Sequence, residues 1–187
     1  MGSYSRNSRE PSRALRLGLA AVLLSGPVAY AAEQPHAFVL TAFSNGVAGR
    51  TILAGDYQSA IKQLAGHVSE PLLEASTANT NRCVAYSMTK QWEAARLACD
   101  AAVREARDER ANLPGWMEWA RKRHDDYVAL AYANRAVMHW LAKDASAAQL
   151  DLAKAEALSP KADFVARNLE ALRTRNALAQ VAAGPQS

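Results

Sequence analysis

Only two cysteines, Cys83 and Cys99, occur in 187 residues, and no C-x-x-C spacing is present, which argues against a redox-active dithiol. Glycine (9) and proline (7) are sparse, and strand-forming residues seldom alternate with polar ones, so the chain does not read as a β fold. Catalytic signatures are missing too. There is no G-x-S-x-G, no H-E-x-x-H, no phosphate loop and no glycine-rich dinucleotide turn. The four histidines are scattered: His36 and His67 stand alone, His139 falls in a predicted helix, and His124 precedes Asp125 and Asp126. Adjacent residues on a helix point in different directions, so His124-Asp125-Asp126 makes a poor metal set and no cofactor is expected.

An excess of one charge is also lacking. The whole chain carries +4, but residues 1–31 hold four of the 22 Lys and Arg and one of the 18 Asp and Glu, leaving +1 for the remainder. Arg121-Lys122-Arg123 is the single dense basic run, and Asp125 and Asp126 follow it, so it reads as a solvated helix face and no nucleic-acid partner is expected.

What is present is 50% apolar and 21% charged residues with abundant alanine, a globular composition that favours closely packed helices. The first residues stand apart. Arg6, Arg9, Arg13 and Arg16 precede a short apolar run, Leu17 to Leu24; Gly26 and Pro27 break it, and Ala29-Tyr30-Ala31 forms an A-x-A site. This is the pattern of a cleaved secretory signal over residues 1–31, too short and interrupted for a transmembrane anchor, and without the cysteine of a lipoprotein. The expectation is a protein exported to the periplasm, with no stable membrane insertion after cleavage. An extension over 32–40, a helical domain over 41–181 and a flexible tail over 182–187 follow.

Three segments of the mature chain align: Gly55 to Leu64, Lys90 to Cys99 and Lys143 to Leu152. Each opens on a polar turn and places an alanine (Ala60, Ala95, Ala148) four residues before Leu64, Cys99 or Leu152. Two antiparallel helices joined by a short turn pair residues whose numbers sum to a constant. Ala48 then faces Leu64, Cys83 faces Cys99 and Ala136 faces Leu152, each about a midpoint in the turn. Small residues at these contacts let helix axes approach to about 8–10 Å, which leaves facing Cα atoms roughly 4–5.5 Å apart. Cys83 and Cys99 can therefore meet. Two readings stand: a disulfide, favoured by an oxidising compartment, or two buried thiols acting as small apolar residues.

The repeat resembles the tetratricopeptide (TPR) family, a 34-residue helix-turn-helix unit, over about residues 41–162, with a helix from Ala162 to about Val181 expected to cap the array. The step from Ala60 to Ala95 is 35 residues but that from Ala95 to Ala148 is 53, which places an insertion near 104–127 with a turn at Pro114-Gly115. The resemblance implies an all-α array of about three hairpins whose concave face binds a peptide or protein segment, without catalysis, as a monomer or weak oligomer. By register that face comprises Asn45, Gly49, Ile52 and Leu53; Thr80, Val84, Ser87 and Met88; and Ala133, Val137, Trp140 and Leu141. Asn81 and Asn134 fall where related grooves carry asparagines, but the lysines that clamp a terminal carboxylate are missing. These apolar residues either receive a partner or pack against the chain's own Phe38-Val39-Leu40. Lys62, Arg96 and Asp151 are expected to be exposed on the outer helices. Trp116 and Trp119 share one helical face, either buried against the core, the favoured expectation, or exposed as an anchor. A structural subunit of an envelope complex, or a small exported enzyme or ligand carrier, are the alternative functions.

Overall fold

The computed structural model describes residues 37–66 and 72–183. The expected signal sequence, His36, His67 and the last four residues lie outside them. Seven helices and no strand occur among the described residues: α1 Gly49–Leu53, α2 Tyr57–Ala65, α3 Leu72–Met88, α4 Trp92–Ala111, α5 Glu118–Leu141, α6 Ala145–Leu158 and α7 Asp163–Ala183. The fold is all-α, built from the hairpins α1/α2, α3/α4 and α5/α6, with α7 against α5 and α6.

One turn is used three times. Gly55, Lys90 and Lys143 each adopt a left-handed conformation, with φ of 80°, 59° and 68°. Their N–H groups donate to the carbonyls of Ile52, Ser87 and Trp140. The next residues, Asp56, Gln91 and Asp144, donate to Thr51, Tyr86 and His139. This pair of bonds closes a helix by satisfying carbonyls that have run out of intrahelical partners. The following helix starts at once. Asp56 and Asp144 accept from the N–H groups of Ser59 and Ala147, both at 3.0 Å.

The residues expected to face each other are in the core, except Ala48, which is half-buried at the edge of the first hairpin's cluster. Ala60, Ala85, Ala95, Ala136 and Ala148 are all buried, as are Leu64 and Leu152. Cys83 and Cys99 form a disulfide with Cα atoms 4.7 Å apart. Closing a loop of this length stabilises the fold by about 3 kcal/mol in the chain-entropy account. Of the two readings of these cysteines, the bridged one holds.

The long α5 is the central element, contacting α3, α4, α6 and α7. Its Arg135 joins three helices: it donates to Asp151 of α6 at 2.7 and 3.0 Å and to Asp100 of α4 at 2.8 Å. Asp151 also meets Lys154, and Arg135 and Lys154 both lie over the Tyr132 ring. The expectation that Asp151 is exposed is therefore wrong. Its carboxylate turns inward to a cation that the hairpin pairing alone did not reveal, whereas Lys62 and Arg96 are exposed. Among the described residues no helix is long and apolar enough to cross a membrane.

Candidate functional site

Residues 37–43 cross the inner helices without forming helix or strand. We call this segment the strap. It is held by three asparagines, one each from α3, α5 and α7. Asn168 accepts from the N–H of Val39 at 2.6 Å and donates to its carbonyl at 2.9 Å. Asn134 does the same for Thr41 at 2.8 and 2.7 Å. Asn81 does so for Phe43 at 2.8 and 3.1 Å, and donates further to the Val47 carbonyl at 2.9 Å. All three are buried. A carboxamide presents one donor edge and one acceptor edge, so it can pair with one residue's backbone much as a neighbouring strand would.

Alternate residues are held because an extended chain turns its backbone groups to opposite sides with period two. The backbone groups of Phe38, Leu40 and Ala42 form no hydrogen bond among the described residues. Their side chains are anchored by packing instead. Phe38 meets the Trp140 ring at 5.3 Å between centroids, and the Arg175 guanidinium lies over the Phe38 ring, 5.0 Å from its centre. Leu40 and Ala42 pack on the cluster of Ile52, Ala60, Leu64, Val84 and Ala85. At the far end Phe43 meets Tyr127 edge-on at 5.6 Å.

Beside the strap lies an apolar groove of about 520 Å³. The strap residues Phe38, Leu40 and Ala42 contribute to its lining, together with Ile52, Leu53, Tyr57, Val84, Met88, Val137, Trp140, Leu141 and Arg175. Leu53, Met88 and Leu141 each sit two residues before a left-handed turn residue, and they are 65%, 43% and 39% exposed. The shared turn geometry thus delivers one apolar side chain per hairpin to the same surface.

Of the twelve residues assigned by register to the concave face, seven line this groove: Ile52, Leu53, Val84, Met88, Val137, Trp140 and Leu141. Thr80, Ser87 and Ala133 are buried, and the Ser87 hydroxyl donates to the Cys83 carbonyl. Asn45 and Gly49 lie apart from the groove, because the chain before α1 is a turn and the first inner helix is only five residues long. A Cβ on Gly49 would stand 1.9 Å from the Phe43 carbonyl oxygen, so the close approach of the strap's end to α1 requires glycine here. Sequence reading missed the strap as a backbone-paired element, and it missed Asn168. The latter had a signal, since Asn168 follows Asn134 by 34 residues, the unit length of the repeat that the sequence resembles.

Elsewhere, Trp116 and Trp119 are exposed, against the expectation that they tie the insertion to the core. Trp116 lies in the turn at 112–117 and Trp119 in the first turn of α5, so the two do not share one helical face as expected. His124 Nδ1 lies 3.0 Å from the Ala120 carbonyl, and no cluster of three metal-binding side chains exists among the described residues. On α4 the Oε1 of Glu109 is buried without a partner, and burial pushes this carboxyl's pKa up. Ser76 and His124 pull it down, and Glu105 adds to the rise. No family model matches the chain, and no curated protein or solved structure matches it either.

Proposed function

We propose that this protein is a non-catalytic binding module of the tetratricopeptide kind, exported to the bacterial periplasm, which takes an extended apolar peptide or protein segment in the groove beside the strap. The observation that carries this reading is the exposed row Leu53, Met88 and Leu141 alongside the unpaired backbone edge of the strap. An incoming segment gains main-chain hydrogen bonds from the groups of Phe38, Leu40 and Ala42 and apolar contact from the row. This is the economy of strand addition. The strap takes over the surface that Trp140 would otherwise offer, so Trp140 acts as a clamp on Phe38 and the contact with a partner shifts to the row. Export is supported by the basic, apolar and A-x-A succession at the start of the chain, and the disulfide is compatible with an oxidising compartment.

The test is selection of binding peptides from a random library displayed against the full chain. Enriched sequences should alternate apolar residues, and Met88→Asp and Leu141→Asp should each weaken the best of them at least tenfold while helicity is unchanged. Full binding by both folded variants would refute the groove as the site.

A further inference from the structure

The α4–α5 corner is the most exposed aromatic feature among the described residues. Trp116 is 80% and Trp119 65% exposed. The turn that presents them is short and defined: the Met117 N–H donates to the Pro114 carbonyl at 2.9 Å, and a side chain at Gly115 would meet nothing within 4 Å. Three cations follow immediately. Lys122 and Arg123 are exposed and Arg121 half-buried, and the Arg123 guanidinium lies 5.8 Å from the Trp119 ring centre.

Of the acids that follow this run, Asp125 pairs with Arg110 of α4, while Asp126 accepts from the Ser159 hydroxyl and keeps its charge, exposed. None of Arg121, Lys122 and Arg123 forms an ion pair among the described residues. Glu118 and Asp126 are the exposed acids on either side of the run, against three cations. The corner thus joins two projecting indoles to a local positive excess.

We infer that this corner docks on an anionic lipid surface, with Trp116 and Trp119 at the headgroup level and Lys122 and Arg123, three and four residues after Trp119 on the same helical face, against the lipid phosphates. Indole rings favour the boundary between hydrocarbon and water, and basic side chains beside them add attraction to anionic headgroups. A protein partner fits less well. At up to about 250 Å² per tryptophan, and 80% and 65% exposed, the two rings offer roughly 350 Å², well short of the roughly 800 Å² that each side of a standard protein interface buries. The docking is peripheral, in keeping with the absence of a membrane-spanning helix among the described residues. It stands independently of the groove.

The experiment mixes the full chain with phosphatidylcholine vesicles, with or without about one-third phosphatidylglycerol, carrying brominated acyl chains that quench tryptophan on contact. The apolar Leu17 to Leu24 segment is common to every variant, so differences between variants report on the corner. Quenching should require phosphatidylglycerol, fall with added salt, and be lost in Trp116→Ala/Trp119→Ala. Lys122→Gln/Arg123→Gln should weaken partitioning about tenfold. Quenching that is absent, equal with neutral lipid, or unchanged in the folded double-tryptophan variant would overturn the inference. So would self-association in lipid-free solution that depends on the two tryptophans and is indifferent to lipid.

Discussion

Asn134 grips Thr41 by both edges of its carboxamide, accepting from the Thr41 N–H at 2.8 Å and donating to the Thr41 carbonyl at 2.7 Å, across 93 residues of sequence. Its neighbours Asn81 and Asn168 grip Phe43 and Val39, so the strap behaves as one laced element. Removing the middle lace leaves a partly buried amide and carbonyl without partners. Asn134→Ala should therefore destabilise the fold by about 2 kcal/mol, more than the net value of an ordinary exposed hydrogen bond. Denaturant unfolding measures the loss. Hydrogen exchange locates it, since the Thr41 amide should lose protection before the amides of α3 and α4 do.

Gly49 gives a test of opposite expectation from local propensity. Gly→Ala in a helix ordinarily stabilises by up to about 1 kcal/mol. Here the new methyl would stand 1.9 Å from the Phe43 oxygen and 2.8 Å from its carbonyl carbon, both backbone atoms, and Asn81 holds that peptide in place. Neither atom can yield without breaking the lace. Gly49→Ala should cost about 2 kcal/mol or more, read as a lowered melting temperature, and should raise exchange at Phe43.

The three turns permit a stabilising change. Lys90 and Lys143 adopt the left-handed conformation that Gly55 adopts in the first hairpin. A side chain at such a position is crowded against the following carbonyl, a strain glycine avoids. Lys90→Gly and Lys143→Gly should each raise stability by about 1 kcal/mol, additively because the two turns are in different hairpins. Thermal unfolding of the single and double variants checks both the sign and the sum.

Much of this architecture is legible in local pattern. The turn midpoints, the alanine contacts and the pairing of Cys83 with Cys99 all follow from antiparallel register, which is a property of neighbouring sequence. Asp151 was misread for the complementary reason. Its burial depends on Arg135, sixteen residues away on the facing helix, and on Asp100 in a third helix, and no periodicity announces a buried ion pair. The strap was half legible. Phe38-Val39-Leu40 are apolar and stand beside the array, but their backbone pairing depends on three polar side chains buried under a segment with no secondary structure of its own. The tryptophans were misjudged because burial at the end of an insertion is set by where the turn points. Two helix-spaced indoles look the same from either side.

Glu109 carries a pH dependence whose sign can be worked out. Burial is the largest influence on it and raises its pKa above the ordinary 4.5, with Glu105 adding to the rise, and Ser76 and His124 opposing it. The folded protein therefore holds this proton more tightly than the unfolded chain does. Stability from the group is fully present below 4.5 and is lost as pH rises through the elevated folded value, because ionising Glu109 leaves a charged oxygen buried without a partner. Glu109→Gln keeps the shape and removes the charge. It should stabilise the protein at neutral pH and flatten this part of the profile. Asp56 works the other way: its carboxylate accepts the Ser59 N–H, which lowers its pKa, so its contribution is lost as pH falls. Denaturant midpoints from pH 4 to pH 8 for the parent and Glu109→Gln chains should converge at the acid end and separate above it. Parallel curves would show that Glu109 finds a partner in solution.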